Sequence, residues 1–123
     1  FTVSMADADH VAACDYVGIV SGNTVPDKWT KAGFHAIPSG RVDAPLIEEL
    51  AVAVECCLKS YDPETGRLVG EIVNVSVDER VLDRNGNVDV SLVRPITFDP
   101  FNNRYVVLGE TVGTAFHDGK KLK

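Results

Sequence analysis

The sequence predicts an α+β fold dominated by strands, with an antiparallel sheet arranged as a small barrel. Three observations predict it. Within LVGEIVNVSVDERVL (68–82), Val73, Val75 and Val77 fall on one side and Asn74, Ser76 and Asp78 on the other, the period-two pattern of a strand. Residues 50–61, LAVAVECCLKSY, are rich in valine and alanine without clear alternation, as expected of a strand whose Leu50–Leu58 portion is covered on both faces. The turn DPETG, with Pro63 and Gly66, joins the two closely enough for an antiparallel hairpin.

The remaining elements are taken in chain order. Phe1–Met5 alternates apolar and polar residues from its first position and reads as a strand. ADADHVAACDYVGIV (6–20) reads as a helix, because His10, Val11, Cys14 and Val17 recur at helical spacing, with Asp7 or Asp9 placed to cap it. Cys14 is expected on its inner face, in the core. Gly22 punctuates its end. Thr24 is a candidate cap for a second, short helix, Pro26 suits its first turn, and Gly33 closes it. HAIPSGRVDAP (35–45), with two prolines and a glycine, reads as a loop. Asn85-Gly86 marks a tight turn. ITFDP and RYVVLG read as two short strands, and ETVGTAFHDG as a last helical turn. There are no repeats or low-complexity segments, so residues 1–123 read as one domain.

Composition excludes several classes. The 123 residues are 45% hydrophobic and 24% charged, which suits a globular core and argues against disorder. A net charge of −6 disfavours nucleic acid and anionic membrane surfaces, which need a basic face. No apolar run is long enough to span a bilayer. The three cysteines, Cys14, Cys56 and Cys57, are odd in number and two are adjacent. They do not form a disulfide framework, so three free thiols and a cytoplasmic location are expected. FTVSM has neither an initiator methionine nor a polar lead-in, which suggests that an N-terminal part precedes it.

Familiar catalytic motifs are missing. There is no Cys-x-x-Cys, His-Glu-x-x-His, Gly-x-Ser-x-Gly or glycine-rich dinucleotide fingerprint. No metal site is expected and no catalytic residue is assigned. DRNGNVD alternates Asp83, Asn85, Asn87 and Asp89 like the start of a calcium loop, but Val88 and Arg94 stand where that loop needs glycine and glutamate.

DYVGIVSGNTVPDKW (15–29) is more informative. Ser21 and Gly22 offer a hydroxyl and an accessible backbone, the second helix begins nearby with unpaired N–H groups, and Lys28 adds a positive charge. Together they compose an anion site. A plain helix–loop–helix corner remains the competing reading.

FTVSMAD, GIVSGNTVPDKWTKAGF, VDAPLIEEL, LVGEIVNVSVDERVLD and YVVLGETVG together resemble the flavin reductase-like, FMN-binding split-barrel family, and particularly its flavoredoxin-like members. The resemblance runs in order along essentially the whole chain. It implies a six-stranded antiparallel split barrel, a homodimer, and FMN near the subunit interface. It also implies electron transfer between flavin and a nicotinamide, an iron–sulfur protein or another redox partner. It places Lys28, with Ser21 and Gly22, at the phosphate end of the flavin. The family's first barrel strands, which supply much of the flavin pocket, fall before the segment matched by Phe1, so the chain corresponds to the C-terminal portion of a full member. The alternative is a non-catalytic β-barrel interaction module that no longer binds flavin.

Overall fold

The computed structural model describes residues 1–123. Three antiparallel sheets form, and none closes into a barrel on its own. The largest contains β1 (Thr2–Ser4), β4 (Val52–Asp62) and β5 (Arg67–Val77), in the order β1-β4-β5. β2 (Ala36–Pro38) pairs with β3 (Pro45–Ile47), and β6 (Ile96–Asp99) with β7 (Arg104–Val107). Helix α1 spans Val11–Ile19, α2 spans Lys28–Ala32, and α3 is a single turn at Val90–Val93.

The β4–β5 hairpin is the one the alternation predicts. Val54 faces Val75, and Glu55 faces Asn74. The register shifts beyond Glu55 and again beyond Leu58, which bends the ribbon. Asp62 folds the turn by accepting from the Glu64 N–H at 2.9 Å and the Thr65 hydroxyl at 2.6 Å. Gly66 there has φ +69°, a conformation glycine takes without a Cβ penalty. The expectation that Leu50–Leu58 is covered on both faces holds for part of it. Val52, Ala53, Glu55 and Cys56 are buried, but Cys57 and Leu58 are exposed.

Neither Asp7 nor Asp9 caps α1: His10 is the N-cap residue and has no side-chain cap, and Asp7 folds the turn before it, its Oδ1 accepting the N–H groups of Asp9 at 3.0 Å and His10 at 2.9 Å. The regular helix begins only at Val11. Cys14 is half-buried rather than a core residue, and all three thiols are free. On β4, Cys56 is buried and its neighbour Cys57 exposed, as opposite faces of a strand require.

One segment differs from its expected state and another carries a helix no expectation covered. The 35–45 stretch is a hairpin, β2–β3, rather than a loop. Its strands are three residues each and begin or end on proline, so no propensity signal marks them. The stretch after Asp89 is α3, capped by the Asp89 carboxylate accepting from the Ser91 N–H at 2.8 Å. β5 ends at Val77, and a 3-10 turn over Glu79–Val81 comes next. The last helical turn expected over ETVGTAFHDG (110–119) is not there: a 3-10 turn at Asp118–Leu122 overlaps only its last two residues.

The hydrophobic core is small. Val52, Val81 and Val93 pack together, with Ala51 and Val77 against them. These come from β4, β5, the 3-10 turn and α3, so the core locks the end of the hairpin to the 3-10 turn and α3. Tyr105 ties β7 to α1 through its hydroxyl, which donates to Asp15 Oδ1 at 2.6 Å. No helix is long and apolar enough to cross a membrane.

Candidate functional site

The corner between α1 and α2 holds the three residues singled out from the sequence. α1 leaves its helical path at Val20, whose backbone is extended. Ser21 then organises the loop. Its carbonyl accepts the N–H groups of Thr24 at 3.1 Å and Val25 at 2.9 Å, and the Thr24 hydroxyl at 3.0 Å. Its Oγ accepts the Asn23 N–H at 3.2 Å. Thr24 therefore stabilises the loop and does not cap α2. α2 starts at Lys28, two residues later than the position of Pro26 suggests, and Asp27 precedes it without a side-chain cap. Gly33 ends it with φ +76°.

Lys28 has a defined task here. Its Nζ donates to the carbonyls of Val17 at 3.0 Å and Val20 at 3.1 Å. Carbonyls at a helix C-terminus lack intrahelical donors and carry the negative end of the helix dipole, so an ammonium group suits them. The side chain crosses a small cleft of about 160 Å³ lined by Val17, Trp29, Phe34 and Ile47. Lys31 points elsewhere and pairs with Asp27 at 3.1 Å, both largely exposed.

This geometry can be tested against a phosphate. An ammonium has three donors, and the two carbonyls use two of them. The hydroxyl proton of Ser21 is a further donor, because the bond at its Oγ is an accepted one. A Cβ added at Gly22 would meet only Lys28 Cε, at 3.8 Å, so backbone approach at this position is open. The corner thus leaves one ammonium proton of Lys28 and the Ser21 hydroxyl proton without an acceptor of their own. Four backbone N–H groups, of Asn23, Thr24, Val25 and Lys28, are used inside the corner.

A wider cleft of about 440 Å³ lies between α2 and the β2–β3 hairpin, lined by Trp29, Thr30, Phe34, His35, Ala36 and Pro45. Phe34 is buried and Trp29 half-buried. Apolar and aromatic walls beside a cationic corner can accept a flat ring with a charged tail.

The hairpin also assembles a group the sequence did not reveal. His35 Nδ1 meets Glu49 Oε1 at 2.5 Å, and the His35 N–H donates to Glu49 Oε2 at 3.0 Å. Glu48 joins them, with one ligand-type atom of each residue within 4.8 Å of the others. The Glu49 side chain, half-buried, holds the base of β2, while His35 and Glu48 are exposed. Glu48-Glu49 read from sequence as solvated surface, since only the pairing of β2 with β3 brings His35 to them. The Glu49 hydrogen bond raises the His35 imidazole above its ordinary value, and the Glu49 charge adds to it. Burial of Cys14 and the nearby Asp7 charge push its thiol up, away from reactive thiolate.

The antiparallel sheets and short helices superpose on split-barrel proteins, so the chain has the split β-barrel fold. The chain belongs to the family described as "Flavin reductase like domain", which matches residues 1–99. It superposes on the flavoredoxin of Desulfovibrio vulgaris (Miyazaki F) with a TM-score of 0.88 and 35% identity, covering 97% of this chain and 64% of that one. The flavoredoxin of Methanosarcina acetivorans gives 0.85 and 27%, covering 99% and 64%. An FMN-binding domain of a flavin reductases-like enzyme from Shewanella baltica OS155 shares the fold, with a TM-score of 0.77 at 15% identity, covering 93% and 62%. The chain spans just under two thirds of the length of each of these proteins.

Proposed function

We propose that the chain is part of an FMN-dependent flavin reductase-like oxidoreductase. It passes electrons between a reduced donor, a nicotinamide or a redox protein, and flavin or a redox partner, and it works as a homodimer. Family membership over residues 1–99 supports the flavin chemistry, and the sequence resemblance supports FMN in particular. One observation carries the reading for this chain's own residues. Lys28 is folded back against the end of α1 with one donor left over, beside the free hydroxyl of Ser21 and the open backbone of Gly22. These three hold the phosphate of FMN. The flavin supplies hydride and electron chemistry when bound. The chain's contribution is to bind the phosphate and wall the ring.

Flavin titration tests this. A charge-assisted hydrogen bond is worth about 1–3 kcal/mol, so Lys28→Ala weakens FMN binding about ten- to hundred-fold. Lys31→Ala changes little. Lys28 also caps α1, so Lys28→Ala lowers stability as well, and Lys28→Arg, which keeps charge and reach, is expected to recover both stability and affinity. The affinities are measured on the full-length protein at a temperature where all variants are folded. Equal affinity of Lys28→Ala and Lys31→Ala removes the phosphate assignment and leaves a capped corner. A colourless protein that ignores added FMN removes the flavin reading and favours the interaction module.

A further inference from the structure

Glu55 is the most deeply buried large side chain, 1% exposed in the middle of β4, and the proposed flavin site does not use it. A carboxylate in that position needs donors. Asn74 Nδ2 donates to its Oε1 at 2.7 Å and the Ser76 hydroxyl donates to the same oxygen. Both belong to β5, on the face Glu55 shares, because Glu55 pairs with Asn74 and Ala53 with Ser76. The other oxygen accepts the hydroxyl of Ser39.

Ser39 comes from a different sheet. It is the first residue after β2, where the chain turns back toward β3. Its single proton goes to Glu55, which leaves its lone pairs for the turn. They accept the N–H groups of Arg41 and Val42, each at 3.0 Å. A continuous chain of bonds therefore runs from a strand of the large sheet, through one hydroxyl, to the backbone of the β2–β3 connection. All three donors to the carboxylate are neutral groups. An apolar residue would fill this position of β4 without any desolvation cost, so Glu55 is explained by the groups it holds.

We propose that Glu55 and Ser39 form a clasp that docks the tip of the β2–β3 hairpin on the β1-β4-β5 sheet. Glu55 is a positioning residue. The hairpin is held separately at Pro45, whose carbonyl accepts the Thr2 hydroxyl at 2.6 Å, and at its base by His35 and Glu49. Opening the clasp frees the tip while the base stays in place. The inference does not depend on which ligand the cleft takes.

Amide hydrogen exchange, resolved by residue with NMR, tests it on the protein without ligand. Ser39→Ala is expected to speed exchange of Arg41 and Val42 by at least tenfold, leaving the β4–β5 ladder at its wild-type rates. Glu55→Gln leaves one acceptor oxygen for three donors, two of them on β5, and is expected to accelerate the same amides. The double variant adds little, as for two parts of one linkage. Ser39→Thr, which keeps the hydroxyl, restores slow exchange. Unchanged exchange at Arg41 and Val42 in Ser39→Ala overturns the clasp. So does acceleration spread equally over β4 and β5, which would make the network a general stabiliser. If Glu55→Gln does not fold, the Ser39 pair of variants decides through the Ser39 and Ala44 amides, which bond the Ala44 and Val42 carbonyls and not the Ser39 hydroxyl: faster exchange there in Ser39→Ala supports a freed tip, and unchanged exchange there overturns the clasp.

Discussion

His35 and Glu49 show how much a single contact adds at the surface. Hydrogen bonding to Glu49 raises the His35 imidazole above its ordinary value of 6.5. For Glu49, burial pushes the carboxyl upward, but the His35 N–H and ring bonds outweigh it and leave it below 4.5. Linkage sets the signs. The His35 contribution to stability is fully present below its unfolded value and is lost as pH rises through its raised folded value. The Glu49 contribution is present above its unfolded value and is lost as pH falls through its lowered one. The pair therefore ties the base of β2 most firmly between the two folded values. The His35 resonance followed by NMR should titrate with a midpoint above 6.5, and Glu49→Gln should return it to the ordinary value. A wild-type midpoint at or below 6.5 would mean the two do not pair in solution. At this scale, local jobs are legible in the sequence. Asp83 accepts the Asn85 and Asn87 N–H groups at 2.8 and 2.9 Å around Gly86, as the Asn-Gly turn implies. The capping of α1 by Lys28 is not legible, because it joins residues eight and eleven apart across a corner whose geometry the sequence does not encode locally.

Elements with a strong period are legible, and those held by partners are not. β4 and β5 are eleven residues each, long enough for composition and alternation to speak. β2 and β3 exist because of their grips: each other, the Glu55–Ser39 clasp, Thr2 and Glu49. α2 lies between these cases. Its start falls two residues beyond Pro26, since proline suits a turn as well as a first helical position. Its end matches the expectation, because only a residue tolerant of φ +76° serves at Gly33. That end can be tested. Gly33→Ala meets no atom within 4 Å, so its cost is backbone strain alone, about 1–2 kcal/mol. Gly40→Ala, also in open space but without a positive φ, should stay within about 0.5 kcal/mol of wild type. Urea midpoints measure both. Equal midpoints would mean that α2 does not end in the left-handed turn.

For the whole molecule the deciding quantity is surface. The chain exposes 9303 Å², whereas a compact monomer of this mass exposes about 6,500 Å². Much of the excess is apolar: on the large sheet Val3, Leu58, Ile72 and Val75 are all more than half exposed, and near the C-terminus Val112, Phe116 and Leu122 are almost fully so. Patches of this extent on soluble proteins mark surfaces covered by other polypeptide. The proposed second copy would cover part of this surface. An obligate homodimer buries about 2,000–5,000 Å² in total, or roughly half of that per subunit, so a dimer face is large enough to cover part of the excess of roughly 2,800 Å²; the part of its relatives' length that this chain does not span is the other candidate cover. The split-barrel class is legible from the pattern of β4 and β5 and from the resemblance. The openness of the sheets is not, because alternation gives each strand a covered face without saying which chain covers it. Light scattering across a range of concentrations should give a dimer, and Val75→Lys, which places a charge on the open face opposite Val54, should shift it toward monomer while the β4–β5 ladder stays protected from exchange. A stable wild-type monomer at high concentration would rule out the second copy as the cover, and a Val75→Lys protein that remains dimeric would move the interface away from this face.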